Sequence, residues 1–339
     1  MKKDDFFLSI IIPFHNNFKP LTHLLSSISD SDFDDFNRIE VLIVDDGSKK
    51  EQSTKLESLN KKRKFILRIF HLNKNSGPAK TRNFGVKHAL GKYIVFFDAD
   101  VFLKKNTLAA AYDFFKKKKG RAFTGIWDKR QKTKSFFPQY KALRDHCYWF
   151  IEREREARYY LFSTRVAGIE KKLFDKIGGF NTNYPLPTVE DIELTYKIER
   201  ETKITFVPEI IVTHEFEDFL TLSRKYFLRS RDWVKLYFKR LRFDPVATSK
   251  REANKSTSVG IFALLFVIGL LLNLKIVMLL SLIFFSYFFY LELPFLIFLY
   301  KEKGLLFTLK AIPTGLILYL IIDAGSFWGL VEYYLFKKR

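Results

Sequence analysis

Between residues 257 and 274 the chain runs for 18 positions without a charged side chain. As a helix this stretch is about 27 Å long, close to the hydrocarbon thickness of a bilayer. It therefore predicts a membrane span. Lys275 interrupts only briefly before residues 276–299, which hold one acid, Glu292, and one helix breaker, Pro294. A second span, bent near Pro294, is expected. After Lys301, Glu302 and Lys303 comes a third apolar region, 305–336, containing Lys310, Pro313 and Asp323. That region is long for one straight span and short for two, so an interfacial helix plus one span and a single long broken helix both remain open. A buried soluble core is the competing reading, but three successive apolar blocks favour insertion.

Charge divides the chain the same way. Residues 1–255 carry 51 basic and 33 acidic side chains, the last 84 only 7 and 4. Residues 224–251 hold ten basic and two acidic side chains, and this excess beside the first span predicts a cytoplasmic N-terminal domain. Met1-Lys2-Lys3-Asp4-Asp5 leads into a strand-like run and not into a long apolar stretch, so no translocation of that domain is expected. Phe219, Leu222, Tyr226, Trp233, Tyr237 and Leu241 recur at helical spacing among Arg and Lys, the pattern of an amphipathic helix on an anionic leaflet or of an ordinary packed surface helix. The net charge of +21 also raises nucleic acid as a partner. Much of the excess adjoins the spans and no nucleic-acid motif appears, so membrane lipids explain it better and no nucleic-acid partner is expected. The lone Cys147 excludes a disulfide framework.

The first 130 residues alternate β-branched runs with helical stretches. Strands are expected at 8–13, 40–44, 66–72 and 93–97, and helices at 19–29, 50–61 and 78–90, an order that gives a mostly parallel, doubly wound sheet. Further helical and strand patterns lie at 139–160 and 205–212. Several strands end in polar residues: Pro13-Phe14-His15-Asn16, Asp45-Asp46-Gly47-Ser48 and Asp98-Ala99-Asp100. In such sheets ligands bind at these ends. Neither Gly-x-Gly-x-x-Gly nor Gly-Lys-Ser/Thr is present, so a bound diphosphate needs another counter-charge. Read as a strand continuation, Asp98 and Asp100 project to one side and can share a divalent cation, Mn2+ or Mg2+.

Ser9-Ile10-Ile11-Ile12-Pro13, Val44-Asp45-Asp46-Gly47-Ser48, Gly77-Pro78-Ala79-Lys80-Thr81-Arg82-Asn83-Phe84-Gly85 and Phe97-Asp98-Ala99-Asp100, in this order, resemble the family 2 glycosyltransferases. Gly178-Gly179-Phe180 followed by Val189-Glu190-Asp191-Ile192-Glu193-Leu194 resembles the acceptor-side motif of that family. The resemblance covers about residues 8–215. It implies a GT-A fold of the α/β class followed by an all-α membrane domain, and inverting transfer of a sugar from a nucleotide-diphosphate donor. Domains are expected at 1–217, 218–255 and 256–339.

By that resemblance Asp46 accepts a hydrogen bond from the base, Pro13, Phe14 and Asn16 line its pocket, and Arg82 reaches the nucleotide and Asp98. Asp100 binds the metal, Asp98 the ribose or the metal, and His214 is a third metal or diphosphate ligand. Asp191 is the general base that takes the proton of a sugar hydroxyl, with Glu190 and Glu193 beside the acceptor. Thr188-Val189-Glu190-Asp191 also fits a helix capping box, which would give Asp191 a structural task. Arg229 and Arg231 either close over the diphosphate or touch lipid phosphates. Arg229-Ser230-Arg231-Asp232-Trp233 only loosely resembles the Gln-x-x-Arg-Trp of processive synthases, lacking its glutamine, so processive synthesis is not expected. The expected acceptor is a lipid-linked or envelope glycan at the cytoplasmic membrane. A polyprenyl phosphate acceptor and an inactive nucleotide-binding scaffold are the alternatives.

Overall fold

Eight strands form one sheet in the computed structural model, which describes residues 6–59, 63–153, 160–184, 187–241 and 249–335. They are β1 (Leu8–Phe14), β2 (Ile39–Asp45), β3 (Ile66–His71), β4 (Tyr93–Phe97), β5 (Val101–Leu103), β6 (Ala122–Trp127), β7 (Val166–Glu170) and β8 (Ile204–His214). The helices are α1 (Phe18–Ser29), α2 (Lys50–Glu57), α3 (Pro78–His88), α4 (Thr107–Lys116), α5 (Phe136–Cys147), α6 (Lys171–Lys176), α7 (Glu190–Glu199), α8 (Phe219–Arg240), α9 (Lys250–Leu271), α10 (Lys275–Lys303) and α11 (Leu305–Leu335).

The sheet order is β3-β2-β1-β4-β7-β6-β8-β5. Its first half is parallel, because each βαβ crossover returns the chain to the same end. β1, β2 and β4 are buried on both faces, which is why they read as unbroken apolar runs. The second half is mixed. β7 runs antiparallel to both β4 and β6, and β5 antiparallel to β8, while β6 and β8 are parallel. β4 stops at Phe97, and Asp98–Asp100 forms a tight turn closed by the Val101 amide on the Asp98 carbonyl at 3.3 Å. The two carboxylates therefore do not follow strand alternation.

Contacts divide the chain into two units, Met1–Gln131 with Arg158–Glu215, and Lys132–Ala157 with Phe216–Arg339. The expected boundaries do not include that insertion. α5 and the π-helical turn Tyr148–Glu152, which the chain makes between β6 and β7, belong with the apolar helices. The helical pattern expected at 139–160 accordingly ends at this turn, and its last positions lie outside the described residues.

In the second unit α9, α10 and α11 are each long and apolar enough to cross a membrane. α10 continues through Pro294 and α11 through Pro313, so the third apolar region is one helix. Tyr140, Leu143 and Cys147 of α5 pack with Leu222 of α8, Phe295 and Leu299 of α10 and Leu318 of α11. α8 lies along α11, where backbones meet at two glycines. A Cβ at Gly329 would stand 2.3 Å from the Arg231 carbonyl oxygen, and one at Gly325 2.4 Å from that of Phe227. Small residues at these crossings let the two helices approach closely.

One polar node is buried in the same unit. Lys255 is 2% exposed and its ammonium touches Glu152 at 3.0 Å, Glu252 at 2.9 Å and Glu292 at 2.8 Å. Arg144 bonds Glu252 at 2.9 Å and lies 4.9 Å from the Tyr319 ring centroid, while the Tyr319 hydroxyl donates to Glu252 at 3.0 Å. Each buried charge here has opposite partners, the condition for tolerating it away from water.

Candidate functional site

The polar ends of β1, β2 and β4 meet at one edge of the parallel half-sheet. Asp46, just beyond β2, accepts the amides of Ser76 at 2.8 Å and Gly77 at 2.9 Å, and so holds the loop that starts α3. Gly77 has φ of +87°, a conformation suited to glycine, and Pro78 follows at the first helical turn. Asn16 donates from its amide to Ser48 Oγ at 2.9 Å and accepts the Lys49 amide at 2.8 Å. His15, which sequence reasoning passed over, lies within 3.0 Å of the Asp46 carbonyl oxygen. Phe14 departs from expectation. It is 1% exposed and packs in the core, so Pro13, His15 and Asn16 present side chains at this strand end and the Phe14 ring does not.

Arg82 joins three of the motifs. It is 4% exposed, bonds Asp98 at 2.7 Å through Nη2, stands 3.7 Å from Glu190 through Nη1 and lies 5.7 Å from the Phe180 ring centroid. Its Nε and Nη1 make no hydrogen bond among the described residues. The neighbouring Asn83 clasps the backbone of Phe180 from both sides, donating to its carbonyl at 2.9 Å and accepting its amide at 3.0 Å. α3 thus fixes the turn 98–100, the Gly178-Gly179-Phe180 loop and the start of α7 against one another.

α7 begins at Glu190 with Val189 as N-cap and without a side-chain cap. The capping box anchored on Thr188 is absent, because the Glu190 carboxylate accepts the Thr188 amide at 2.8 Å instead. Asp191 accepts the amide of Ile192 at 2.8 Å and is half-buried at the first turn, where the helix dipole favours a carboxylate. Glu193 is held by Asn181 at 3.0 Å and by the Tyr184 hydroxyl at 2.9 Å.

Asp98 and Asp100 are partnered separately. Asp98 faces Arg82, whereas Asp100 Oδ2 lies 3.6 Å from His214 Nε2 at the end of β8. β5 pairs with β8 with Val101 opposite His214, which is what brings that histidine to the turn. Burial would raise the Asp100 carboxyl, but the nearby His214 imidazole and the Arg165 charge hold it below the usual range. Among the described residues no group of three or more His, Cys, Asp or Glu is set to hold a metal. Asp100 and His214 supply one carboxylate and one imidazole, a donor pair that suits a divalent ion whose other ligands come from a diphosphate and water. Arg165, whose guanidinium lies 4.7 Å from the Trp127 ring centroid, carries no motif and was invisible in the sequence. Arg229 and Arg231 belong to α8 in the helical unit, and Arg231 Nε bonds Asp232 at 2.8 Å.

The family described as Glycosyl transferase family 2 matches residues 9–180. A Rickettsia felis uncharacterized glycosyltransferase is 40% identical over 107 residues, covering 32% of this chain and 17% of that protein. The Staphylococcus aureus poly(ribitol-phosphate) beta-N-acetylglucosaminyltransferase TarS is 36% identical over 107 residues, covering 31% of this chain and 18% of that protein. The matches thus span less than a fifth of those relatives. In fold, the chain resembles the mannosyltransferase PcManGT from Pyrobaculum calidifontis, solved with GDP-Man and Mn2+, at a TM-score of 0.55 and 16% identity over 98% of this chain and 88% of that one. The sheet-bearing unit is a GT-A fold.

Proposed function

As this chain belongs to glycosyl transferase family 2, we propose that it moves a single sugar from a nucleotide-diphosphate donor to a hydroxyl of a lipid-linked or cell-envelope glycan, inverting the anomeric carbon in one displacement. The observation that carries this reading is Arg82 between Asp98 and Glu190, because a single displacement needs the donor diphosphate and the base within one substrate of each other. The unbonded Arg82 nitrogens support an anionic ligand there. Asp191 takes the hydroxyl proton as the oxygen attacks, and the absence of the capping box supports that role. Glu190 and Glu193 orient the acceptor side. Pro13, Asn16 and Asp46 receive the base.

Asp100 and His214 would hold Mn2+ or Mg2+, with Asp98 nearer the ribose. A divalent ion bound there would neutralise charge developing on the departing diphosphate. The Mn2+ and GDP-Man of PcManGT support a metal and a nucleotide sugar, and the poly(ribitol-phosphate) of TarS supports an envelope polymer as acceptor. The three apolar helices support residence in the cytoplasmic membrane, and the basic excess at 224–251 supports a cytoplasmic catalytic unit.

The test is consumption of UDP-, GDP- and dTDP-sugars by membranes containing the protein, with Mn2+ or Mg2+ and with chelator. Metal-dependent loss of one donor, abolished in Asp100→Ala, is expected. Asp191→Asn should abolish transfer to a hydroxyl, and transfer that survives it points to an acceptor already ionised, such as a polyprenyl phosphate.

A further inference from the structure

Two cations flank the turn that carries Asp98 and Asp100, and only Arg82 was assigned above. The second is Arg165. β7 runs antiparallel to β4 with Phe97 opposite Val166 and Val95 opposite Gly168. Arg165 immediately precedes Val166, so it stands at the end of β7 beside the point where β4 gives way to the turn. On the other side of β7, β6 ends at Trp127, and the Arg165 guanidinium lies 4.7 Å from the indole centroid. A guanidinium set against an indole keeps its charge while losing freedom, because attraction to the ring quadrupole offsets part of its lost hydration. Trp127 itself is buried, so the platform is rigid. Arg165 and His214 are the charges that bear on Asp100.

We propose that Arg165 binds the β-phosphate of the donor and stabilises the nucleoside diphosphate as it leaves. This rests on the reading that the turn 98–100 receives the donor diphosphate. In the transfer the acceptor oxygen forms its bond to the anomeric carbon while the bond from that carbon to the β-phosphate oxygen breaks. The bonding pair departs with that oxygen, and the hydroxyl proton passes to Asp191. Negative charge therefore grows on the β-phosphate, and a guanidinium already fixed there acts most strongly when the bond is broken. Arg82 Nη2 is bonded to Asp98 at 2.7 Å, so that guanidinium is shared between the carboxylate and any ligand.

The test needs no acceptor. Affinities of UDP, GDP and dTDP, and of the matching monophosphates, are measured with Mn2+ on the full chain in detergent for the wild type, Arg165→Ala and Arg165→Lys. For the diphosphate that the wild type binds, Arg165→Ala should weaken binding about tenfold or more and leave the monophosphate within about twofold, and Arg165→Lys should recover part of the loss. Equal weakening of both nucleotides, or of neither, overturns the proposal. If the alanine variant does not fold, Arg165→Lys decides: selective weakening of the diphosphate with an unchanged unfolding midpoint supports it, and wild-type affinity overturns it. Failure of the wild type to bind any of the three diphosphates defeats the donor reading itself and this proposal with it.

Discussion

Replacing Arg82 with methionine keeps most of its length and apolar stem and removes its charge. Two carboxylates lose a cationic neighbour. Asp98 is 2.7 Å away and its side chain 27% exposed, so water recovers part of that loss. Glu190 is 3.7 Å away with a side chain only 6% exposed, and it also accepts the Thr188 amide at 2.8 Å. Removing one partner of a fully buried pair costs about 3–5 kcal/mol, and the long Glu190 contact and the exposure of Asp98 place this site lower, at about 2–4 kcal/mol. That cost is read in the unfolding midpoint; turnover of the folded variant should fall about 100-fold, as it does when reacting groups are misplaced by about 1 Å. Arg82→Lys retains the charge but not the fork and should fall between. The assay is donor consumption with the unfolding midpoint measured beside it, together with the cycle Arg82→Met, Asp98→Asn and their double variant. Coupling of about 1 kcal/mol or more is expected, since both residues act on the turn 98–100. Arg82→Met that loses less than about threefold in turnover, or a cycle that is additive, refutes the idea that Arg82 organises this site.

At the buried node of the helical unit, Lys255 touches Glu152, Glu252 and Glu292, Arg144 bonds Glu252, and the charge of Arg251 bears on Glu152. Lys255→Met, which strips three carboxylates of a partner, should destabilise the protein by about 3–5 kcal/mol in detergent unfolding, and Glu292→Gln, which keeps the shape and leaves Lys255 two carboxylates, should cost less. Gly329→Val forces a side chain against the Arg231 carbonyl and should cost about 1–3 kcal/mol in the same assay. Burial would raise the Asp128 carboxyl, but Lys104 at 2.8 Å and Arg130 hold it down to about 2, below its ordinary 3.8. Its stabilisation is thus present above about pH 4 and is lost as pH falls toward 2, so the gap in unfolding midpoint between wild type and Asp128→Asn, about 2 kcal/mol at most, should narrow from pH 6 to pH 3. Cys147 is buried and its thiol pushed up by that burial, so maleimide should label it only on unfolding.

The parallel half of the fold was legible because its strands are buried on both faces and so write themselves as apolar runs such as Ile10-Ile11-Ile12 and Val41-Leu42-Ile43-Val44. The motif residues Asp46, Arg82 and Asp191 lie at the strand end and helix starts where the sequence pattern sets them. Pattern failed where geometry is tertiary. Alternation along a strand placed Asp98 and Asp100 on one side, but the chain leaves β4 at Phe97 and turns. Pro13 and Phe14 looked equivalent at a strand end, yet the pleat sends Phe14 into the core with Ile10 and Ile12. Arg165 sits in a stretch without pattern, and only the pairing of the next residue, Val166, with Phe97 brings it near the turn. The three-residue β5 is too short to write a periodicity, and without it nothing relates His214 to Asp100.

The insertion between β6 and β7 shows why a helical pattern alone does not assign a helix to a domain. Tyr140, Leu143 and Cys147 recur at the spacing of any core-facing helix, and nothing in that spacing says which core. The assignment comes from the polar groups. Arg144 lies one position beyond Leu143, and Glu152 lies in the π-helical turn that ends the segment. Buried alone, each would cost several kcal/mol, so the segment is stable only where opposite charges are also buried. Glu252 and Lys255 supply those charges from α9, at 2.9 Å and 3.0 Å. Apolar packing draws α5 to the helices, and the ion pairs fix its register on them.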